Sequence, residues 1–211
     1  MTTELRVYLL IEDLQRQFAA YLATPTRARG YPPFEGQHAM IVEVAPGLAI
    51  ERVIDLALRA VPGVEPGILF VERQFGVLEV HSSDLAEVRR AGAAVLDGIG
   101  AAETDRLRPK VLYQDVIEDL TDQHAVIINR NRQASMVLPG ETLLVYEVTP
   151  ALFAALAANE AEKAAPDNTL VDVQMIGAAG RLYLSGSTGS ILKARDAITE
   201  ALDGLEGRSH G

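Results

Sequence analysis

The chain has no cysteine and no tryptophan among its 211 residues. The missing thiols exclude disulfides, thiolate zinc sites, iron–sulfur clusters and cysteine nucleophiles. Histidine is scarce as well. His38, His81, His124 and His210 form no H-x-x-x-H or comparable ligand spacing, so no metal and no cofactor is expected. Positive charge is short: 19 Lys and Arg against 29 Asp and Glu leave a net charge of −10, the wrong sign for a nucleic-acid partner. Long apolar runs are also absent. Val7-Tyr8-Leu9-Leu10-Ile11 is far below the ~20 residues of a membrane helix. The start, Met1–Arg6, has no basic region leading into an apolar one, so the expectation is a soluble cytoplasmic protein with no membrane partner.

What the chain does have is a repeat. Glu43-Val44 before Pro46 recurs as Glu147-Val148 before Pro150, an offset of 104. The same offset carries Gly36 to Gly140, Pro62 to Pro166, Gly76 to Gly180 and Gly100 to Gly204. Upstream the offset becomes 106, where Ile11-Glu12-Asp13-Leu14 recurs as Ile117-Glu118-Asp119-Leu120. Shared Pro and Gly in one register point to a duplicated domain of about 100 residues. The expected division is 1–104, 105–206 and a disordered tail at 207–211.

Each repeat reads as β-β-β-α-β-β-α. In the first, strands are expected at Leu5–Ile11, Phe18–Ala23 and Met40–Val44, then a helix near Leu48–Val61 stopped by Pro62-Gly63. Strands at Ile68–Arg73 and Val77–His81 flank a turn at Gln74-Phe75-Gly76, and a helix capped by Ser83 or Asp84 follows. The second repeat reads the same way, with strands near Val111–Val116, Ala125–Ile128 and Leu143–Val148. The β-α-β-β-α core is most of a ferredoxin-like plan, with its completing element moved to the start of the repeat, as in a circular permutation. The fold class is α+β.

Few motifs suggest chemistry. Gly186-Ser187-Thr188-Gly189-Ser190 precedes a helix but lacks the Gly-Lys junction of a phosphate loop, and reads as a helix start. No nucleophile–base pair is evident, so no enzyme is expected. The repeats disagree most at one place. Val71-Glu72-Arg73-Gln74-Phe75-Gly76 carries two opposite charges where the second repeat has Met175-Ile176-Gly177-Ala178-Ala179-Gly180. A solvated hairpin tip explains this, and so does a charged site that only one domain supplies. Arg59 and Lys163 are equivalent, each near a helix C-terminus that favours a cation, with Asp55 and Glu160 as local partners.

Asn159 through Ala165, Met175 through Gly186, Val71 through His81 and Ile128 through Arg132 together resemble tandem-domain bacterial microcompartment (BMC) shell proteins of the circularly permuted type. The likeness runs over about Leu5–Leu205 and is closest to the α-carboxysome branch. The resemblance implies two permuted BMC domains per chain, and a homotrimer acting as a pseudohexameric tile with hexameric and pentameric shell proteins as partners. It implies a central pore formed by Glu72, Arg73, Gln74, Phe75, Gly177 and Ala178. Glu72 and Arg73 act as its gate, and Gly177 and Ala178 leave them room. It further implies tile-edge contacts at Arg59 and Lys163, stacking of two trimers in some members, and passage of small anionic metabolites such as ribulose bisphosphate and phosphoglycerate. Two alternatives stand beside it: a tile of a catabolic microcompartment, and a duplicated ferredoxin-like sensor of a small molecule.

Overall fold

A computed structural model describes residues 2–24, 30–132 and 134–210. The chain divides into two compact units, Met1–Arg108 with Glu206–Gly211, and Pro109–Leu205. In unit 1 the described elements are β1 (Glu4–Ile11), α1 (Arg16–Leu22), β2 (His38–Ala45), α2 (Ile50–Ala60), β3 (Glu65–Glu72), β4 (Phe75–Ser82) and α3 (Leu85–Ile99). A 3-10 turn at Gly47–Ala49 leads into α2. Unit 2 repeats the order with β5 (Lys110–Ile117), α4 (Asp122–Asn131), β6 (Thr142–Thr149), α5 (Phe153–Ala164), β7 (Thr169–Gln174), β8 (Gly180–Gly186) and α6 (Thr188–Asp203). Each sheet is antiparallel and four-stranded, in the orders β1-β2-β4-β3 and β5-β6-β8-β7.

The second element of each unit is a helix, not the strand expected at Phe18–Ala23 and Ala125–Ile128. In α1 the buried residues are Phe18, Ala19, Tyr21 and Leu22, a spacing that fits 3.6 residues per turn. In α4, Ala125 and Ile128 share one face and join a core with Leu120, Val137, Leu143 and Val171. The Asn129 side chain secures the segment behind α4. Its Nδ2 donates to the Val137 carbonyl at 2.8 Å and its Oδ1 accepts from the Val137 amide at 3.0 Å. The order is therefore β-α-β-α-β-β-α in both units.

Alternation along the strands places the core of unit 1. Met40, Val42, Val44, Leu78 and Val80 point to one face and meet Ile50, Val53, Ala57, Val88, Ala91 and Val95 of α2 and α3. Asp84 caps α3 by accepting from the Ala86 amide at 2.8 Å, and Gly100 ends it in the left-handed conformation at φ +70°. In unit 2 Ser187 caps α6, as a plain helix start should.

The duplication extends to backbone details. Asp13 and Asp119 share a positive φ of 63° and 52°, and the Ala45–Pro46 and Thr149–Pro150 bonds are both cis. Gly76 and Gly180 share a close approach. A Cβ on Gly76 would lie 2.2 Å from the Gly47 carbonyl oxygen, and one on Gly180 would lie 2.1 Å from that of Ala151. Each glycine thus lets the second strand of a hairpin rest on the start of the preceding helix.

The tail at 207–211 was expected to be disordered, yet Gly207–His210 lies against unit 1. The Arg208 amide donates to the Arg106 carbonyl at 2.8 Å, and the Arg108 amide donates to the Arg208 carbonyl at 2.9 Å. The Arg208 guanidinium pairs with Glu4 and donates to the Asp105 carbonyl at 2.9 Å. Buried Arg106 donates to the carbonyls of Tyr8 and Glu206 at 2.9 and 2.8 Å. Two arginines with fixed donors find carbonyls contributed by three separate stretches of chain, and this orders the tail.

Gly76→Ala should cost about 1–3 kcal/mol of stability through overpacking against the Gly47 carbonyl. Denaturant unfolding measures it. A loss indistinguishable from that of a surface substitution would contradict the close approach.

Candidate functional site

The divergent segment forms the tip of the β3–β4 hairpin. Glu72 ends β3, Phe75 begins β4 opposite it, and Arg73-Gln74 make the turn, one or two residues earlier than the expected Gln74-Phe75-Gly76. Arg73 Nε lies 3.5 Å from Glu72 Oε1, with side chains 90% and 35% exposed. An ion pair this open contributes about 0–1 kcal/mol and rearranges readily.

The backbone adds a sharper observation. Arg73 has φ +51°, in the left-handed region that a side chain ordinarily avoids. Its equivalent in unit 2 is Gly177, also at positive φ, +132°. Both residues have positive φ, but the connections differ: β3–β4 turns on Arg73-Gln74, whereas residues 175–179 join β7 to β8. Holding a non-glycine residue left-handed costs about 1–2 kcal/mol, and such strain concentrates where a side chain has a task. Gly177 and Ala178 lie in the β7–β8 connection, where the Ala178 carbonyl accepts from Thr149 Oγ1 at 3.2 Å. A Cβ on Gly177 would meet nothing within 4 Å, so space is open there.

Phe75, also expected at the pore, flanks the turn as the strand partner of Glu72. Its ring lies beneath the Arg6 guanidinium, 3.8 Å from the ring centre. Gln74 is exposed in the turn.

Arg59 and Lys163 stand at the C-terminal ends of α2 and α5, both exposed. Arg59 donates to Asp55 at 2.7 Å, and the Asp55 carboxylate holds its guanidinium pKa above the usual value. Lys163 has no ion-pair partner among the described residues. Glu160, expected to pair with it, accepts instead from Asn159 at 3.3 Å.

Two features escaped the sequence reading. Glu79 and His81 are fully buried on β4, with Nδ1 of the histidine 3.0 Å from Glu79 Oε1, and burial pushes the Glu79 carboxyl pKa up. Gly67 makes room for Glu79, because a Cβ there would lie 2.0 Å from its carboxylate. The signal was available: the equivalent residues are Tyr183 and Ser185. In unit 2 a pocket of about 240 Å³ opens between α4 and the sheet, lined by Ile127, Asn131, Arg132, Asp172, Gln174 and Tyr183. Among the described residues no group of three or more His, Asp or Glu is placed to hold a metal, and no helix is long and apolar enough to cross a membrane.

Residues 5–105 match the family described as the CsoS1D N-terminal domain. The carboxysome shell protein CcmP of Synechococcus elongatus is 46% identical over 210 residues, covering 100% of this chain and 97% of the relative. The chain belongs to the tandem-domain microcompartment shell proteins. A second shell protein, CsoS1D of Hydrogenovibrio crunogenus, is 42% identical over 98% of this chain and 99% of its own. Among solved structures, the double-ringed trimeric shell protein MSM0271 from the RMM microcompartment superposes with a TM-score of 0.95. It is 71% identical, with 99% of this chain and 100% of that one covered. The fused permuted hexameric shell protein MSM0275 of the same compartment gives 0.92 at 48% identity, covering 97% and 99%. The chain is accordingly a structural shell component of a bacterial microcompartment, built from two tandem permuted BMC domains, and not an enzyme.

Arg73→Gly should stabilise the hairpin by about 1 kcal/mol, because glycine adopts positive φ without the steric cost. Thermal and denaturant unfolding of the two proteins tests this. Destabilisation would contradict the strain assigned to Arg73.

Proposed function

We propose that three chains close into a tile whose axial pore is gated by Glu72 and Arg73. The observation that carries this reading is an arginine held at positive φ at the exposed tip of one hairpin, where the other repeat has glycine. A threefold axis near that tip gathers three Glu72 and three Arg73 into one ring. Side chains paired across the ring occlude it. Because each exposed pair is worth little, a change of rotamers opens it, and the small Gly177 and Ala178 leave room for the swing.

The burial pattern supports a ring. Val7 and Leu9 on β1 are 0% and 2% exposed, whereas Tyr113, equivalent to Val7, is 55% exposed. Leu152 before α5 is fully buried, whereas its equivalent Leu48 before α2 is 75% exposed. Each chain therefore carries two different bare faces. One includes Leu48 in the 3-10 turn before α2, and the other is β5 with Ile127 of α4. A head-to-tail contact between two unlike faces is what generates a closed cyclic assembly. The pocket beside Ile127 then receives side chains of the next protomer. MSM0271 is described as a double-ringed trimer, which agrees with three chains per ring and with stacking of two rings.

Arg59 and Lys163 mark the outer edge, where hexameric and pentameric shell proteins adjoin the tile. The edges are unequal: Arg59 is tied to Asp55, and Lys163 is not. The gate admits small anionic metabolites larger than those that simple shell pores pass, with Arg73 supplying the attraction. The curated relatives are carboxysome shell proteins, which suits ribulose bisphosphate and phosphoglycerate as cargo. The 71% identity to MSM0271 favours a second reading, a tile of a compartment of the RMM kind. Isolation of the intact compartment with its enzymes separates the two: Rubisco in the lumen supports the first, and its absence supports the second.

Glu72→Ala with Arg73→Ala should leave the assembly at the parent's mass, three times the 22.7 kDa chain for one ring or six times for two, while the hole stands open. An image of the double variant with the hole still occluded would overturn the gate.

A further inference from the structure

The β3–β4 hairpin is anchored beside its turn by a contact that, among the described residues, unit 1 alone contains. Glu43 on β2 is buried, 2% exposed, and burial raises its carboxyl pKa against the opposing effect of Arg6. Arg6 on β1 donates Nε to Glu43 Oε1 at 2.8 Å. The same guanidinium lies over the Phe75 ring at 3.8 Å. One cation thus links the outer strand of the sheet to the first residue of β4, next to the turn. A planar guanidinium suits this double use, with an edge for the carboxylate and a face for the ring.

Unit 2 keeps the carboxylate and loses the link. Arg6 is replaced by Leu112 and Phe75 by Ala179. Glu147, equivalent to Glu43, takes its cation from Arg181 on β8 instead, at 2.8 Å, in the position of Val77. Arg181 also donates to Gln174 at 3.3 Å, and so stays on the sheet. Both carboxylates therefore have a cation, buried Glu43 from β1 and the partly exposed Glu147 from β8, so pairing the acid does not by itself require a cation at position 6. What unit 1 has in addition is the contact to the hairpin bearing Glu72 and Arg73.

We infer that Arg6 and Phe75 are positioning residues for the gate. Their contact pins the first residue of β4, beside the turn, to β1, and motion is confined to Arg73-Gln74 and to the side chains of Glu72 and Arg73. The gate opens by rearrangement of those side chains and not by a swing of the whole hairpin. This inference rests on the pore reading for its functional meaning, but its structural content is tested without it.

The test uses the assembled protein, with amide hydrogen exchange read at residues 72–76 and, as an internal reference, at residues 39–44 of β2. Phe75→Leu removes the ring and keeps the Arg6–Glu43 pair, so the buried acid stays neutralised and the fold is kept. Arg6→Lys keeps the charge and loses the planar face. Both should speed exchange at 72–76 by about three- to tenfold, the range of a partly desolvated cation–π contact, with 39–44 unchanged. Phe75→Tyr, which retains the aromatic face, should exchange like the parent. Equal rates at 72–76 in Phe75→Leu and the parent would overturn the inference, and so would an equal rise at 39–44, which marks general loosening. Passage of small anions through the tile is measured alongside. A loosened hairpin with unchanged passage leaves the anchor standing and overturns the gate reading instead.

Discussion

The contact on which the pore region depends is the approach of Gly76 to the Gly47 carbonyl, repeated by Gly180 and Ala151. It seats the second strand of a hairpin on the start of a helix, with no side chain between them. The helix in turn is fixed by Ile50, Val53 and Ala57 against the sheet. A backbone contact of this kind has little slack, because interiors are close-packed. The β3–β4 turn therefore leaves unit 1 at a defined place, and the β7–β8 connection leaves unit 2 at the equivalent place. The two turns can then differ without disturbing either core. One is small and neutral; the other carries a carboxylate, a guanidinium at positive φ, and a ring held by Arg6.

A second constraint follows from duplication. Two copies of one unit share their internal packing, yet their outer faces need not meet the same fate. β1 and the approach to α5 are buried, while β5 and the approach to α2 are bare. Tyr113, Leu112, Ile127 and Leu48 are each about half exposed or more, a large apolar display for a single chain. Two unlike bare faces on one chain are the requirement for a closed ring. The −10 net charge is tolerable in such a tile, since charge governs solubility and association more than fold.

Much of this was legible in the sequence. Proline and glycine at a shared offset revealed the duplication, because each serves a backbone need that other residues meet poorly. The strands of both sheets and the helices α2, α3, α5 and α6 followed from periodicity and caps. The short helices α1 and α4 did not. Phe18–Ala23 and Ala125–Ile128 are brief apolar runs, and over so few residues a period of 2 is not separable from one of 3.6. The turn was displaced because Arg73 gave no sign of adopting a glycine conformation. The docked tail was hidden because Arg208 bonds mostly backbone atoms, 103 and 203 residues away. Distance in sequence likewise hid Arg6 from Phe75. Glu79 and His81 were visible as polar residues two apart in an apolar strand, a spacing that puts both on one face, but their burial was not.

The central claim is that the hairpin tips of three chains meet on one axis. The most direct measurement is a cryo-EM or crystal structure of the assembled protein. The account predicts a threefold ring with Glu72 and Arg73 of each copy lining the axial hole, and with β5 of one chain against the α2 side of the next. Tips pointing away from the axis, or an assembly without threefold symmetry, would contradict it.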